Sequence, residues 1–178
     1  MTALAARHAL ASVSRMASAL APSSASVAAA ALLATLAAGC TPSLIAGTQV
    51  SDTMDNRAVY GVVRAYADAL QKKDAAAVLA LVAPDYFDTA GTPTPEDDLD
   101  RAGLEKTLPA DLARVDSMKV DVVVKKIEVR GDVASADLYY DNYFRVVTAA
   151  GPIPRREADL QQIRLRRIGK DWKIVAGL

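Results

Sequence analysis

The order of residue textures predicts an α+β fold, with N-terminal helices packed on one face of a strongly curved antiparallel sheet of four or more strands. Two observations carry that expectation. Apolar residues recur at helical spacing from Val59 onward, and after Ser117 long β-branched stretches alternate with tight turns. A third observation sets the N-terminal segment apart: an alanine-rich, acid-free run leads up to the lone cysteine, Cys40.

Residues 1–39 read as a secretory leader. Arg7 and Arg15 form a positive start, and Val27 to Ala38 is small or apolar throughout. A membrane-spanning helix over Met16–Gly39 is the rival, but Pro22-Ser23-Ser24 interrupts it and alanine inserts poorly. The tripeptide Ala38-Gly39-Cys40 resembles the lipobox of bacterial lipoproteins, which implies that Cys40 is acylated and begins the mature chain. Thr41 stands where that resemblance places the sorting residue, which implies a lipid-anchored cell-envelope protein at the outer membrane, facing the periplasm. Residues 40–52, with Pro42, Gly47 and several hydroxyls, read as a flexible tether.

The domain spans residues 53–178. Asp52 or Thr53 caps a first helix that runs to about Lys72, with Val59, Val62, Val63, Tyr66 and Leu70 on one stripe. Asp74 caps a second helix over Ala75–Ala83, which Pro84 stops. Thr94-Pro95-Glu96-Asp97 opens a third that ends near Thr107, with Pro109 starting another short turn. Strands follow: Met118–Arg130 with a bulge at Lys125-Lys126, Val133–Val147, a third ending near Arg167, and Trp172–Leu178. Gly131-Asp132, Ala149–Pro152 and Gly169–Asp171 supply the turns.

Composition narrows the chemistry. The 178 residues hold 21 basic and 21 acidic side chains, so there is no electrostatic footprint for nucleic acid. The single histidine, His8, lies in the leader. The part beyond Cys40 therefore has no Ser-His or Cys-His nucleophile, no histidine-ligated zinc and no structural disulfide. Glu96, Asp97, Asp98 and Asp100 do not match a calcium loop and read as charges at a helix start. No metal and no cofactor is expected.

Val62-Val-Arg-Ala-Tyr66-Ala-Asp-Ala-Leu70, Lys73-Asp74 before Val78–Asp85, and the closing Gly169-Lys-Asp-Trp172-Lys-Ile-Val175 resemble the nuclear transport factor 2-like superfamily. The likeness covers roughly residues 54–178 and implies a cone of helices on a bent sheet. Within that group it implies a comparison with ketosteroid isomerase. Tyr66 falls at that enzyme's oxyanion-hole tyrosine, its catalytic base would fall near Ala90, and its protonated aspartate near Gln161. Two of the three roles are unfilled.

Alternation along Val133–Val147 turns Ala134, Ala136, Leu138, Tyr140, Asn142, Phe144 and Val146 towards the helices. Ser135, Asp137, Tyr139, Asp141 and Arg145 take the other face. Tyr66, Tyr140, Asn142 and Gln161 are then the candidates for orienting a small apolar ligand inside the cone, or for satisfying one another. Tyr139, Tyr140, Tyr143 and Phe144 supply aromatic surface for a homodimer or an envelope partner through the sheet. The reading is a non-catalytic binding or assembly module held at the membrane through Cys40. An isomerase, dehydratase or cyclase acting on a small apolar substrate is the alternative.

Overall fold

The computed structural model describes residues 43–178, so the leader, Cys40 and the first residues of the expected tether lie outside the described residues. Among the described residues, three helices precede a four-stranded antiparallel sheet whose neighbouring strands follow one another in chain order. They are α1 (Met54–Gln71), α2 (Ala75–Leu81) and α3 (Arg101–Ala113). The main strands are β3 (Val115–Arg130), β4 (Val133–Val146), β5 (Ile153–Ile168) and β6 (Asp171–Ala176). Ahead of α3, β1 (Phe87–Asp88) pairs with β2 (Leu99–Asp100). The α+β expectation is met.

The caps follow local chemistry. Thr53, not Asp52, caps α1 by accepting from the Asn56 amide at 3.1 Å, while Asp52 pairs with Arg57. Asp74 caps α2 through the Ala77 amide at 2.9 Å. Lys73 takes a left-handed conformation at φ 56° to turn the corner between the helices. Its ammonium donates to the carbonyls of Val115 and Asp116, which ties that corner to the start of β3.

Register explains the curvature. The pairing of β3 with β4 slips between Val124 and Lys126, at the bulge expected from the sequence, and again between Val115 and Ser117. Each extra residue bends the strand and adds twist. Val59 and Val63 from α1 meet Ala136, Leu138, Ile163, Leu165 and Ile174 from the sheet. Burying side chains of this size stabilises the fold by about 1.5–3 kcal/mol each. The end of α2 is joined to β6 by a parallel bridge between Val82 and Ile174, and Lys173 donates to the Ala80 carbonyl at 2.7 Å.

Two expectations need correcting. The helix expected from Thr94 to Thr107 is a single 3-10 turn (Pro95–Asp97), then β2, then α3, whose cap is Asp100 accepting from the Gly103 amide at 2.7 Å. The helix also runs through Pro109 to Ala113. A proline inside a helix costs about 3 kcal/mol. Leu104, Leu108 and Leu112 recur every four residues against the core, so stopping at Thr107 would forfeit the burial of Leu112. The other correction concerns the tether. From Leu44 the chain is folded: Leu44 bridges Ser51, the Ile45 amide donates to Val50, and Val50 is buried in the core. Apolar Ile45 and Val50, flanking a turn at Thr48, supply the driving force that a glycine and a proline had obscured.

Candidate functional site

The sheet's helix-facing side is built of rungs, because residues directly opposite one another in antiparallel strands share a face. Starting from the turn between β3 and β4, the rungs are Val129–Ala134–Leu165 and Ile127–Ala136–Ile163. Next come Val124–Leu138–Gln161, Val122–Tyr140–Asp159 and Val120–Asn142–Glu157. The first two rungs are apolar. Gln161 is the first polar side chain on this face, and the next two rungs are polar on both β4 and β5, while β3 stays valine.

Tyr66 on α1 covers these polar rungs, with Val63 a turn before it and Leu70 a turn after. Between helix and sheet lies a cavity of about 190 Å³. Tyr66, Tyr140, Asn142 and Gln161, the four candidates from the sequence, all line it, and a fifth polar residue, Glu157, joins them. The volume is modest: a dry cavity of about 150 Å³ takes one benzene, and sites for larger ligands run from about 300 Å³. A single ring or a short chain fits.

The polar groups differ in their freedom. Among the described residues, neither the Tyr66 nor the Tyr140 hydroxyl has a hydrogen-bond partner. Burial, and secondarily Tyr140, pushes the Tyr66 hydroxyl up to about 12. Burial also raises Tyr140, with Asp159 and then Glu157 adding to the effect because a phenolate beside carboxylates is disfavoured. Asn142 Oδ1 is buried without a partner. Gln161 is the exception, since its amide donates to the Gly177 carbonyl at 2.6 Å and holds the chain after β6 in place. Its carbonyl oxygen and its second amide hydrogen are left for a ligand.

Ala90, where the resemblance places a catalytic base, sits in the loop after β1 at φ 49°, beside an adjoining groove. A carboxylate does stand two residues earlier, and it is occupied. Asp88 Oδ2 accepts the amides of Gly177 at 2.8 Å and Leu178 at 3.1 Å, and the Tyr86 hydroxyl at 3.3 Å; Oδ1 accepts the Ala90 amide. Gly177 is required there. It has φ 95°, and a Cβ would come within 2.1 Å of the Gln162 carbonyl oxygen. Asp88 is thus an anchor for the backbone after β6, not a free base.

The acidic residues ahead of α3 and the arginines at the end of β5 fall where chemistry satisfies them. Asp97 accepts from the Thr92 hydroxyl and Asp100 caps α3. Arg166 pairs with Asp85, whose carboxyl it holds below the usual range. Arg167 pairs with Asp55 and Asp132 and stacks on Trp172 at 4.4 Å. The aromatic surface expected of β4 is split: Tyr139 and Tyr143 face outward, Tyr140 and Phe144 towards the helices, because neighbours along a strand alternate. Outward, Tyr139 stands in one rung with Val123 and Leu160, the last being 72% exposed.

Glu157 was missed at the sequence level. It lies four residues before Gln161 on the same strand and so shares its face, a relation visible once the pairing of Asn142 with Glu157 is known.

No family model matches the chain, and no curated protein resembles it in sequence. Solved structures do. A candidate dehydratase of the nuclear transport factor 2-like family from Streptomyces avermitilis is similar at TM-score 0.59 and 15% identity, over 69% of this chain and 93% of that one. A ketosteroid isomerase-like protein from Erwinia carotovora atroseptica is similar at TM-score 0.57 and 15% identity, over 71% and 95%. A candidate scytalone dehydratase from Novosphingobium aromaticivorans is similar at TM-score 0.56 and 15% identity, over 69% and 80%. At such identities the likeness establishes the fold: an α+β cone of the nuclear transport factor 2-like kind.

Proposed function

We propose that this protein is a lipid-anchored component of the bacterial cell envelope whose cone is a non-catalytic binding module for a small, largely apolar ligand. The observation that carries the binding half is the convergence of Tyr66, Tyr140 and Asn142 on one cavity, with two free hydroxyls and a buried, unpartnered amide oxygen. Unpaired polar atoms in an otherwise apolar pocket are what a ligand's polar end would satisfy. The non-catalytic half is supported by Asp88, the carboxylate nearest the place where the isomerase comparison puts a base. Among the described residues, all its hydrogen bonds come from the protein's own backbone and from Tyr86.

An enzyme of the isomerase, dehydratase or cyclase kind is the second reading, since some proteins of similar fold are described as dehydratases or as ketosteroid isomerase-like. That reading needs a base the cavity itself supplies. Among the described residues Glu157 is the only carboxylate lining it, and it is exposed at the rim. Assembly is the third component of the proposal. The exposed rung of Val123, Tyr139 and Leu160 supports a second copy or an envelope partner docking on the outer face of the sheet.

The anchor rests on Ala38-Gly39-Cys40 and the run before it. Intact mass of membrane-extracted protein should give a chain that begins at an acylated Cys40. A Cys40→Ala variant that stays with the membrane after a salt wash would sink the anchor. Leu160→Asp tests the assembly face: if a wild-type dimer or complex persists unchanged by size exclusion, the outer rung is not the contact.

A further inference from the structure

We infer that the cavity selects a small cation, an alkyl- or cycloalkylammonium of about six to nine heavy atoms, over neutral or anionic molecules of the same shape; the inference rests on the binding reading above. The argument starts from sign. No residue lining the cavity carries a positive charge, and one, Glu157, carries a negative charge. Asp159 sits on the neighbouring rung of the same face and, like Glu157, acts on the Tyr140 hydroxyl. Among the described residues neither carboxylate has an ion-pair partner, whereas Asp141, on the outward face of the same region, is bridged by Arg156 at 2.8 Å. The nearest arginine on the inward face, Arg155, stands one rung farther out, opposite Phe144, and lines a different groove.

The hydrogen-bonding inventory points the same way. Asn142 Oδ1 is a buried acceptor with nothing to accept from, directly across from Glu157. An ammonium brings three donors and no acceptor, so one headgroup can reach the Asn142 oxygen and the Glu157 carboxylate. A carbonyl or carboxylate ligand could accept from the Tyr66 and Tyr140 hydroxyls but would leave both of these oxygens unpaired. Val63, Leu70, Val120, Val122 and Leu138 then receive the hydrocarbon part.

Three probes of nearly one shape decide the matter: cyclohexylmethylammonium, cyclohexylmethanol and cyclohexanecarboxylate, titrated calorimetrically into the full chain in non-ionic detergent at neutral pH. The amine should bind about fivefold tighter than the alcohol, the upper range for an ion pair at a solvated rim. The carboxylate should bind more weakly than either. Glu157→Gln should erase the advantage of the amine over the alcohol by weakening the amine more than the alcohol. Val122→Phe, which fills the cavity, should weaken the amine and the alcohol together, and Asn142→Leu should weaken both without filling it. An alcohol or carboxylate that binds as tightly as the amine overturns the selectivity and leaves the cavity reading standing. Amine binding that survives both Val122→Phe and Asn142→Leu lies elsewhere and also overturns it. If none of the three binds, the cavity reading fails with it.

Discussion

The two ends of one strand pair, β4 and β5, do opposite jobs. Near the turn joining β3 to β4, their inward rungs are Ala134–Leu165 and Ala136–Ile163, buried in the core with Val59 and Val63 of α1 and Ile174 of β6. Two rungs farther on, the same face presents Tyr140, Asn142, Asp159 and Glu157, and β6 no longer flanks β5. Backbone pairing is uninterrupted between the two, so the hydrogen-bonded ladder does not distinguish them. Side-chain identity and cover do. At the closed end apolar area is exchanged for stability; at the open end polar atoms stand unpaired beside space. A fold that tolerates unpaired groups at one end must hold its stability at the other.

The sharpest way to break that contrast is a deletion at the closed end. Ile163→Ala removes a fully buried side chain and should lower the unfolding free energy by about 3–4 kcal/mol in denaturant titration. A cost under about 1 kcal/mol would mean the closed end is not the seat of stability. Next in size is Asp88→Ala, which strands the Gly177 and Leu178 amides at the place where the chain leaves the core. It should cost about 2 kcal/mol and speed hydrogen exchange at those two amides, with no change in ligand binding. If binding fell while exchange stayed slow, Asp88 would belong to the site after all.

At the open end the expected stability effect reverses. Asn142→Leu replaces a buried oxygen that has no partner, so the unfolding free energy should stay within about 1 kcal/mol of the parent or rise. A loss of more than about 2 kcal/mol would show that the oxygen is satisfied in solution. The smallest effect is spectroscopic. The Tyr66 hydroxyl is raised to about 12, against about 10 in an unfolded chain. The folded state therefore keeps a proton that the unfolded state loses, and stability is fully present below pH 10 and is lost as pH rises through about 12. Optical titration of the phenols should show a late fraction, to which Tyr86 and Tyr140 also contribute, that shrinks in Tyr66→Phe. A Tyr66 that titrates near 10 would mean the cavity is wet.

Much of this was legible in the residues, for a specific reason. Short-range chemistry states itself locally: Thr53 and Asp74 as caps, the Val59–Leu70 stripe, the Lys125-Lys126 bulge and the alternation along β4 all stood in the structure as expected. Where local signals compete with distant packing, they lost. Pro109 marks a break by itself, yet the burial of Leu112 carries α3 past it. Thr94-Pro95 looks like a helix start, yet the pairing of Phe87–Asp88 with Leu99–Asp100 moves that start to Arg101. Gly47 and Pro42 read as tether, yet Val50 is core.

The site shows the same division. The chain alone determined the α+β order, the inward set on β4 and the four neutral polar candidates, because strand parity and helix stripe are periodic properties of consecutive residues. It also determined that no histidine follows Cys40. Only the tertiary structure decided that Tyr66, Tyr140, Asn142 and Gln161 meet at one cavity and that Gln161 is engaged by Gly177. It alone decided that Asp88 is held by the backbone of residues 177 and 178, and that Glu157 completes the rim. Those facts depend on the register between β4 and β5 and on where the chain after β6 docks. Contacts between residues tens of positions apart are set by the packing of the whole, which leaves no periodic mark on any one stretch.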